Sequence, residues 1–181
     1  MEISQAYQFC PRCGTKREKL IPARPFRCES CGYTSFFGPV TAVGAVITNQ
    51  MGQVLLIERA KEPGLGMLGM PGGFVDPNEG AEVALRREII EEVGLSVGQL
   101  HFLMTAPNAY SYQGIVLPVL DIFFSTSVSD DQEIAHDHSE VSAWMWTELR
   151  PEILARIAFH SNRQALEFFL VERQKSTTCG E

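Results

Sequence analysis

Apolar and polar positions along the chain sort into short blocks with different periods. The run VTAVGAVIT at 40–48 is β-branched and apolar, which predicts a buried strand. NQMG predicts a turn, and QVLLIER at 53–59 a returning strand. Residues 61–69 are rich in glycine and contain Pro63, so they read as a loop. The paired glycines of MPGGFV (70–75) remove side chains from a surface and let backbone approach closely. From 79 to 93 the period changes: Ala81, Leu85, Ile89 and Val93 form an i+4 apolar ridge, which predicts one helix. Pro77 and Asn78 lie just outside its start and Gly94 is a natural stop. Strands are predicted at 99–105 and 115–126, a polar acidic loop at 127–139, and a short strand at 141–147 with Trp144 and Trp146 on one face. Helices follow at 152–159 and 163–173. Strands, one helix, more strands, then helices imply an α/β sandwich with a mixed sheet.

Composition adds a second module. The chain has 181 residues, enough for one substantial core and a small extra unit. It is 45% hydrophobic and 20% charged, as a folded globular protein is. Residues 1–40 carry six basic and three acidic side chains, a net of +3. That leaves −10 for the rest of a chain whose formal charge is −7. Such a balance argues against a generic polyanion-binding surface over the whole molecule. The first residues, MEISQAYQFC, lack a basic segment and an apolar segment, so no secretory signal is expected. No run approaches the ~18 apolar residues of a membrane helix, and residues 115–124 are interrupted by Pro118 and Asp121. No membrane association and a reduced, cytoplasmic location are expected.

In that setting paired cysteines more often hold metal than form disulfides. Cys10 and Cys13 form one C-x2-C pair, Cys28 and Cys31 another, 14 residues on, each followed by glycine. Four thiolates close a tetrahedral Zn²⁺ site with no position for water, so the site should be structural. The alternative is a redox dithiol or unrelated thiols. Fewer than 40 residues bury little core, so the metal would supply the folding energy. Cys179 stands alone in the polar tail and reads as a free thiol. Residues 9–37 resemble the zinc ribbons attached to nucleotide-processing enzymes. A ribbon can bind nucleic acid, support a homodimer or brace its neighbour, and the +3 charge does not choose.

Glu88, Glu91 and Glu92 are the chemical signal of the predicted helix. At about 100° per residue they span about 100° of its circumference, next to the ridge of Leu85 and Ile89. Charge is costly there unless paired or bound to metal. Carboxylates favour Mg²⁺ or Mn²⁺, to which Gly72 and Gly73 can add backbone carbonyls. Arg87 cannot share a cation but can hold a carboxylate in a bidentate pair. From the glutamates alone, a solvated face salt-bridged by Arg86 and Arg87 is the stronger reading.

The wider spacing reverses it. Gly73, Glu79, Arg87, Glu88, Ile89, Glu91, Glu92, Gly94 and Leu95 fill every fixed position of G-x5-E-x7-R-E-U-x-E-E-x-G-U, where U is aliphatic. This resembles the Nudix box. The resemblance implies a Nudix α/β/α sandwich over 39–173, preceded by the ribbon at 1–38 and followed by a flexible tail at 174–181. It further implies that Glu88, Glu91 and Glu92 bind the metal, that Glu79 supports the site or binds through water, and that Arg87 orients Glu88. The Gly72–Gly73 backbone would approach metal or substrate. A ribbon ahead of such a domain is similar to the NADH pyrophosphatase branch, as is EVSAWMW at 140–146, which would make Glu140 a further ligand or a base.

Two departures matter. The SQPWPFPxS stretch of that branch is missing, and Leu68 stands where many Nudix proteins have tryptophan. Enzymes acting on FAD, ADP-ribose or similar dinucleotides are then the better comparison. Tyr110 and Tyr112 read as loop residues able to stack on a base, with ordinary core or surface tyrosine the stronger reading; His136, Asp137 and His138 look metal-like but read as solvated side chains. The expected reaction is Mg²⁺-assisted attack of water on a diphosphate, giving a nucleoside monophosphate and a phosphorylated remainder. The alternatives are removal of a nucleotide cap from RNA and a nucleotide-sensing regulator without turnover.

Overall fold

A computed structural model describes residues 1–18, 25–129 and 131–178, with side chains to Lys175; Lys19, Arg24 and Cys179 lie outside the described residues. The chain forms two compact units: Met1–Val40 with Ala109–Val119, and Thr41–Asn108 with the chain from Leu120 onward.

In the first unit a short helix α1 (Ile3–Ala6) precedes strands β1 (Phe26–Arg27) and β2 (Thr34–Ser35), which pair antiparallel. Its core is small: Cys10, Phe26 and Cys28, with Tyr7, Cys31, Tyr33 and Phe37 packed against them. The two cysteine turns repeat one pattern. Gly14 N–H donates to Cys10 O and Gly32 N–H to Cys28 O, and both glycines have φ of 72°.

In the second unit β3 (Val40–Thr48), β4 (Val54–Arg59) and β5 (Leu68–Gly69) precede helix α2 (Ala81–Val93). Strands β6 (His101–Tyr112) and β7 (Ile115–Ser127), whose residues 109–119 belong to the first unit, and β8 (Val141–Thr147) follow, then α3 (Pro151–Leu154) and α4 (His160–Thr178). The six strands form one sheet in the order β5-β4-β3-β7-β6, with β8 on β4. The ladders of β4 with β3, β5 and β8 are antiparallel, and a parallel bridge joins Leu68 to Ile157.

Both faces of this sheet are covered, which is why its central strands read as apolar runs rather than alternating ones. Val43, Ala45, Ile47, Leu55 and Ile57 face Ala84, Leu85, Ile89 and Val93 of α2. Val46, Val54 and Leu56 face Leu154, Ala165 and Leu166 of α3 and α4 on the other side. Fully burying such side chains is worth roughly 1.5–3 kcal/mol each. Leu68, where tryptophan is common in similar sequences, is fully buried in that second layer.

Four expectations change. The acidic helix begins at Ala81 rather than 79, because Asn78 has a φ of 72° and the Glu79 carboxylate is bonded back to Asp76 N–H. Residues 113 and 114, both at positive φ, make a two-residue hairpin turn, so Tyr110 and Tyr112 belong to β6 and not to a loop. The helix expected at 152–159 stops at Leu154. Beyond it the chain pairs with β5, through Leu68 N–H to Arg156 O and Ala158 N–H to Leu68 O. Finally, α4 continues to Thr178, past the start expected for the tail, and Arg173 donates to Gly52 O.

Candidate active site

The second unit gathers its carboxylates where α2 meets the glycine loop after β5. Three backbone bonds seat that loop on β3: Val43 N–H to Gly73 O, Ala45 N–H to Pro71 O and Val75 N–H to Thr41 O. Gly72, at φ 146°, has no room for a Cβ, which would strike the Val43 carbonyl. Its N–H donates to Glu92 Oε2 at 2.9 Å. A Cβ on Gly73 would lie 2.5–2.6 Å from the Glu88 carboxylate. The two glycines therefore admit two different carboxylates, one by donating to it and one by giving it space.

Glu92 is only 6% exposed. Burial, opposed by the Gly72 N–H and reinforced by Glu88 and Glu140, pushes its pKa up to about 8. Burial likewise raises Glu88, against the pull of Arg87. Both shifts come first from burial, which disfavours the charged form.

Arg87 organises the remaining acids. Its Nη2 and Nε donate to Glu79 at 2.6 and 3.3 Å, and its Nη1 to Glu88 at 2.8 Å and Glu91 at 3.1 Å. It also reaches Phe74 O at 3.1 Å. Glu79, bonded to Arg87 and to Asp76 N–H, is held below the usual carboxylate range. Glu79 is thus a brace for Arg87, while Glu91 keeps a 59% exposed side chain. Arg86 takes no part, because it donates to Val97 O and Gly98 O.

The acidic loop before β8 is tied to the end of α2. Asp137 N–H donates to Glu92 O and Ala135 N–H to Val93 O, satisfying two carbonyls that a helix end leaves open. Glu140 N–H then donates to Asp137 O. Glu140 is brought near enough to raise both Glu88 and Glu92. Asp137 and His138 are exposed, as expected of solvated side chains, whereas His136 is half-buried: its ring meets that of His138 edge to face at 4.3 Å, and its Nε2 is buried without a hydrogen-bond partner. Asp137 is held low by Ser139 N–H and hydroxyl.

Sequence reading missed two cations here. Lys61 Nζ pairs with Glu140 at 2.5 Å. Arg59, whose Nε donates to Pro63 O and whose guanidinium lies 5.0 Å from the Phe159 ring centre, lowers Glu92. Arg59 ends a strand otherwise read for its hydrophobicity, and Lys61 lies two residues beyond it. Five carboxylates (Glu79, Glu88, Glu91, Glu92, Glu140) thus meet three cations (Arg59, Lys61, Arg87). The all-oxygen donors are of the kind a hard divalent cation takes, but among the described residues no three of these carboxylates converge as the four cysteines do. Tyr110 and Tyr112 lie in the stretch of β6 that belongs to the first unit.

In the first unit Cys10, Cys13, Cys28 and Cys31 have ligand atoms all within 4.8 Å of one another, a cluster of three or more potential ligands unique among the described residues. Sγ–Sγ distances are 3.7 Å for Cys10–Cys31 and 3.6 Å for Cys13–Cys28. A tetrahedron with metal–sulfur bonds of about 2.3 Å has edges of about 3.8 Å. Hydrogen bonds from Thr15 lower the Cys13 thiol to about 6, while, against a Tyr33 backbone hydrogen bond, burial and the three neighbouring cysteines push Cys31 up to about 12, so in the cluster without metal the thiols do not all ionise together. The cysteines fit a closed four-thiolate metal site.

A glycine loop on one strand and a helix fanning glutamates around an arginine, on a two-faced sheet, define the NUDIX class. The NUDIX domain pattern matches residues 38–177, and the chain belongs to that family. Among curated relatives, the NAD-capped RNA hydrolase NudC of Haemophilus influenzae is 26% identical over 145 residues, 78% of this chain and 52% of that protein. NudC of Deinococcus radiodurans is 30% identical over 109 residues, 59% of this chain and 39% of its own length. The chain spans about half the length, or less, of these relatives. Among solved structures, the NUDIX domain of Shewanella oneidensis NrtR, crystallised with ADP ribose, superposes with a TM-score of 0.62 at 26% identity over 77% of this chain and 90% of that one. A NUDIX hydrolase of Nitrosomonas europaea shares the fold over 93% of both chains, at a TM-score of 0.66 and 23% identity.

Proposed function

We propose that the protein hydrolyses the diphosphate bond of a nucleoside diphosphate linked to a second group, a dinucleotide such as NADH, FAD or ADP-ribose. The products are a nucleoside monophosphate and the phosphorylated second group. The observation that carries this reading is the buried Glu92, held by Gly72 N–H at 2.9 Å, with the Glu88 carboxylate against the neighbouring Gly73.

Glu88, Glu91 and Glu92 would hold Mg²⁺ or Mn²⁺, with Glu140 beside them. Such a cation neutralises diphosphate charge and lowers the pKa of an attacking water. The chain's own residues do the rest. Arg87, clamped by Glu79, fixes the Glu88 and Glu91 side chains at 2.8 and 3.1 Å. Gly72 N–H fixes one oxygen of Glu92. Glu92 or Glu140 accepts the proton lost by the water. The Gly72–Gly73 backbone lies close to where the diphosphate would sit.

The test is a screen of NADH, NAD, FAD, ADP-ribose, diadenosine polyphosphates and nucleoside triphosphates, each with and without Mg²⁺. Turnover confined to dinucleotides with Mg²⁺ is expected; none with any of them overturns the reading. The names of the curated relatives favour a second reading, removal of a nucleotide cap from RNA by the same chemistry. Comparing a free dinucleotide with a capped oligonucleotide separates the two.

The four cysteines would hold a structural Zn²⁺. Protein purified without chelator should carry about one zinc per chain, and a metal assay that finds none contradicts this. No described helix is long and apolar enough to cross a membrane. A cytoplasmic location completes the proposal, in line with reduced, metal-bound cysteines.

A further inference from the structure

We propose that Lys61 is an internal counter-cation of the acidic site: it holds Glu140 in a 2.5 Å ion pair, competes with a divalent cation for that carboxylate, and is free to meet the substrate's diphosphate once the carboxylate is taken. This rests on the hydrolase reading above.

The pair is built by the sheet rather than by chance contact of long side chains. Arg59 is in register with Val141 on the antiparallel β4–β8 ladder. Just beyond it, Ala60 N–H donates to Glu140 O at 2.9 Å. Lys61 and Glu140 therefore leave adjacent strands side by side. From the other direction, Glu140 N–H donates to Asp137 O, and Asp137 N–H to the carbonyl of Glu92. One backbone chain thus connects the Lys61 partner to the buried carboxylate.

The other two cations are committed. Arg87 serves Glu79, Glu88 and Glu91, and Arg59 bonds Pro63 O and lies against Phe159. Lys61 is different: its side chain is 52% exposed and its carboxylate partner 39% exposed. An exposed pair of this kind contributes little to stability, so it can break and re-form. Lysine suits an exchanging role, being a compact charge with three rotatable donors on a flexible stem. Diphosphate carries negative charge into a site of five carboxylates, and a mobile cation at the rim lowers that barrier. The same cation makes the site less attractive to a metal ion. Lys61 is thus a positioning residue for Glu140 and a binding residue for substrate.

Mn²⁺ binding followed by electron paramagnetic resonance, and ADP binding to the Mn²⁺-saturated protein followed by calorimetry, test this on the full chain. Lys61→Met should tighten Mn²⁺ and weaken ADP, each by about two- to fivefold. Lys61→Gln should do the same, which removes a packing effect peculiar to methionine. Lys61→Arg, keeping the charge, should leave both near wild type. In the Glu140→Gln background Lys61→Met should no longer change Mn²⁺ affinity. Unchanged Mn²⁺ affinity or unchanged ADP affinity in both neutral variants overturns the inference. A wild-type protein that binds no Mn²⁺ overturns the hydrolase reading itself, and is told apart because no variant is involved.

Discussion

Glu92→Gln should lower dinucleotide turnover by about 10²–10⁴-fold and yet make the metal-free protein more stable than wild type at pH 8. Both effects come from the same burial. The folded-state pKa of Glu92, pushed from 4.5 to about 8, means that the folded protein binds its proton more tightly than the unfolded chain does. Stability therefore falls as pH rises from about 4.5 towards 8, because the folded state must then either keep the proton or carry an uncompensated charge. Glutamine has no such penalty and still offers an oxygen to Gly72 N–H. In chelator, the two melting temperatures should be similar near pH 5 and should diverge in favour of the variant at pH 8. Adding Mg²⁺ should raise the wild type at pH 8 and leave the variant nearly unmoved. Wild-type turnover in Glu92→Gln, or melting curves that coincide at both pH values, would remove Glu92 from the centre of the site.

Gly73→Ala should reduce kcat/KM and Mn²⁺ affinity together, kcat/KM by about 10²-fold, without unfolding the domain. The added methyl would sit 2.5–2.6 Å from the Glu88 carboxylate, closer than van der Waals contact allows. The carboxylate is the mobile partner, so it swings aside and loses its alignment with Arg87 Nη1. A misplacement of about 1 Å is enough for such a loss. Gly80→Ala is the control: its Cβ would meet nothing within 4 Å, and its φ of −88° is ordinary. If Gly73→Ala binds Mn²⁺ and turns over like Gly80→Ala, the glycine does not exist to make room for Glu88.

Much of this site is visible in one dimension because its parts are local. The helix, its stop at Gly94, the i, i+3, i+4 glutamates and the upstream glycines lie within 23 residues, and helix geometry alone projects the acids to one edge. The cysteine turns are local in the same way. Legibility weakens at the edges of elements. Helix α2 loses two residues at its start because the Glu79 carboxylate is drawn to Arg87 and Asp76, a competition that residue propensity does not encode. The expected helix at 152–159 yields to pairing with β5, a partner some 90 residues away in sequence whose free edge exists only in the folded sheet.

By itself the sequence determined the α/β class, the four-cysteine cluster and the carboxylate helix with its glycine loop, since each depends on spacing along one segment. Only the tertiary structure decided which cations serve those carboxylates. Arg86, adjacent to Arg87, turns away to the carbonyls of Val97 and Gly98, whereas Lys61 and Glu140, 79 residues apart, meet because β4 and β8 pair. It also decided that Glu92 is buried enough to be strained by its charge, for burial is a property of the whole packed layer. The physical reason is range: backbone geometry acts over a few residues, whereas charge pairing and desolvation depend on whatever the fold places within a few ångströms.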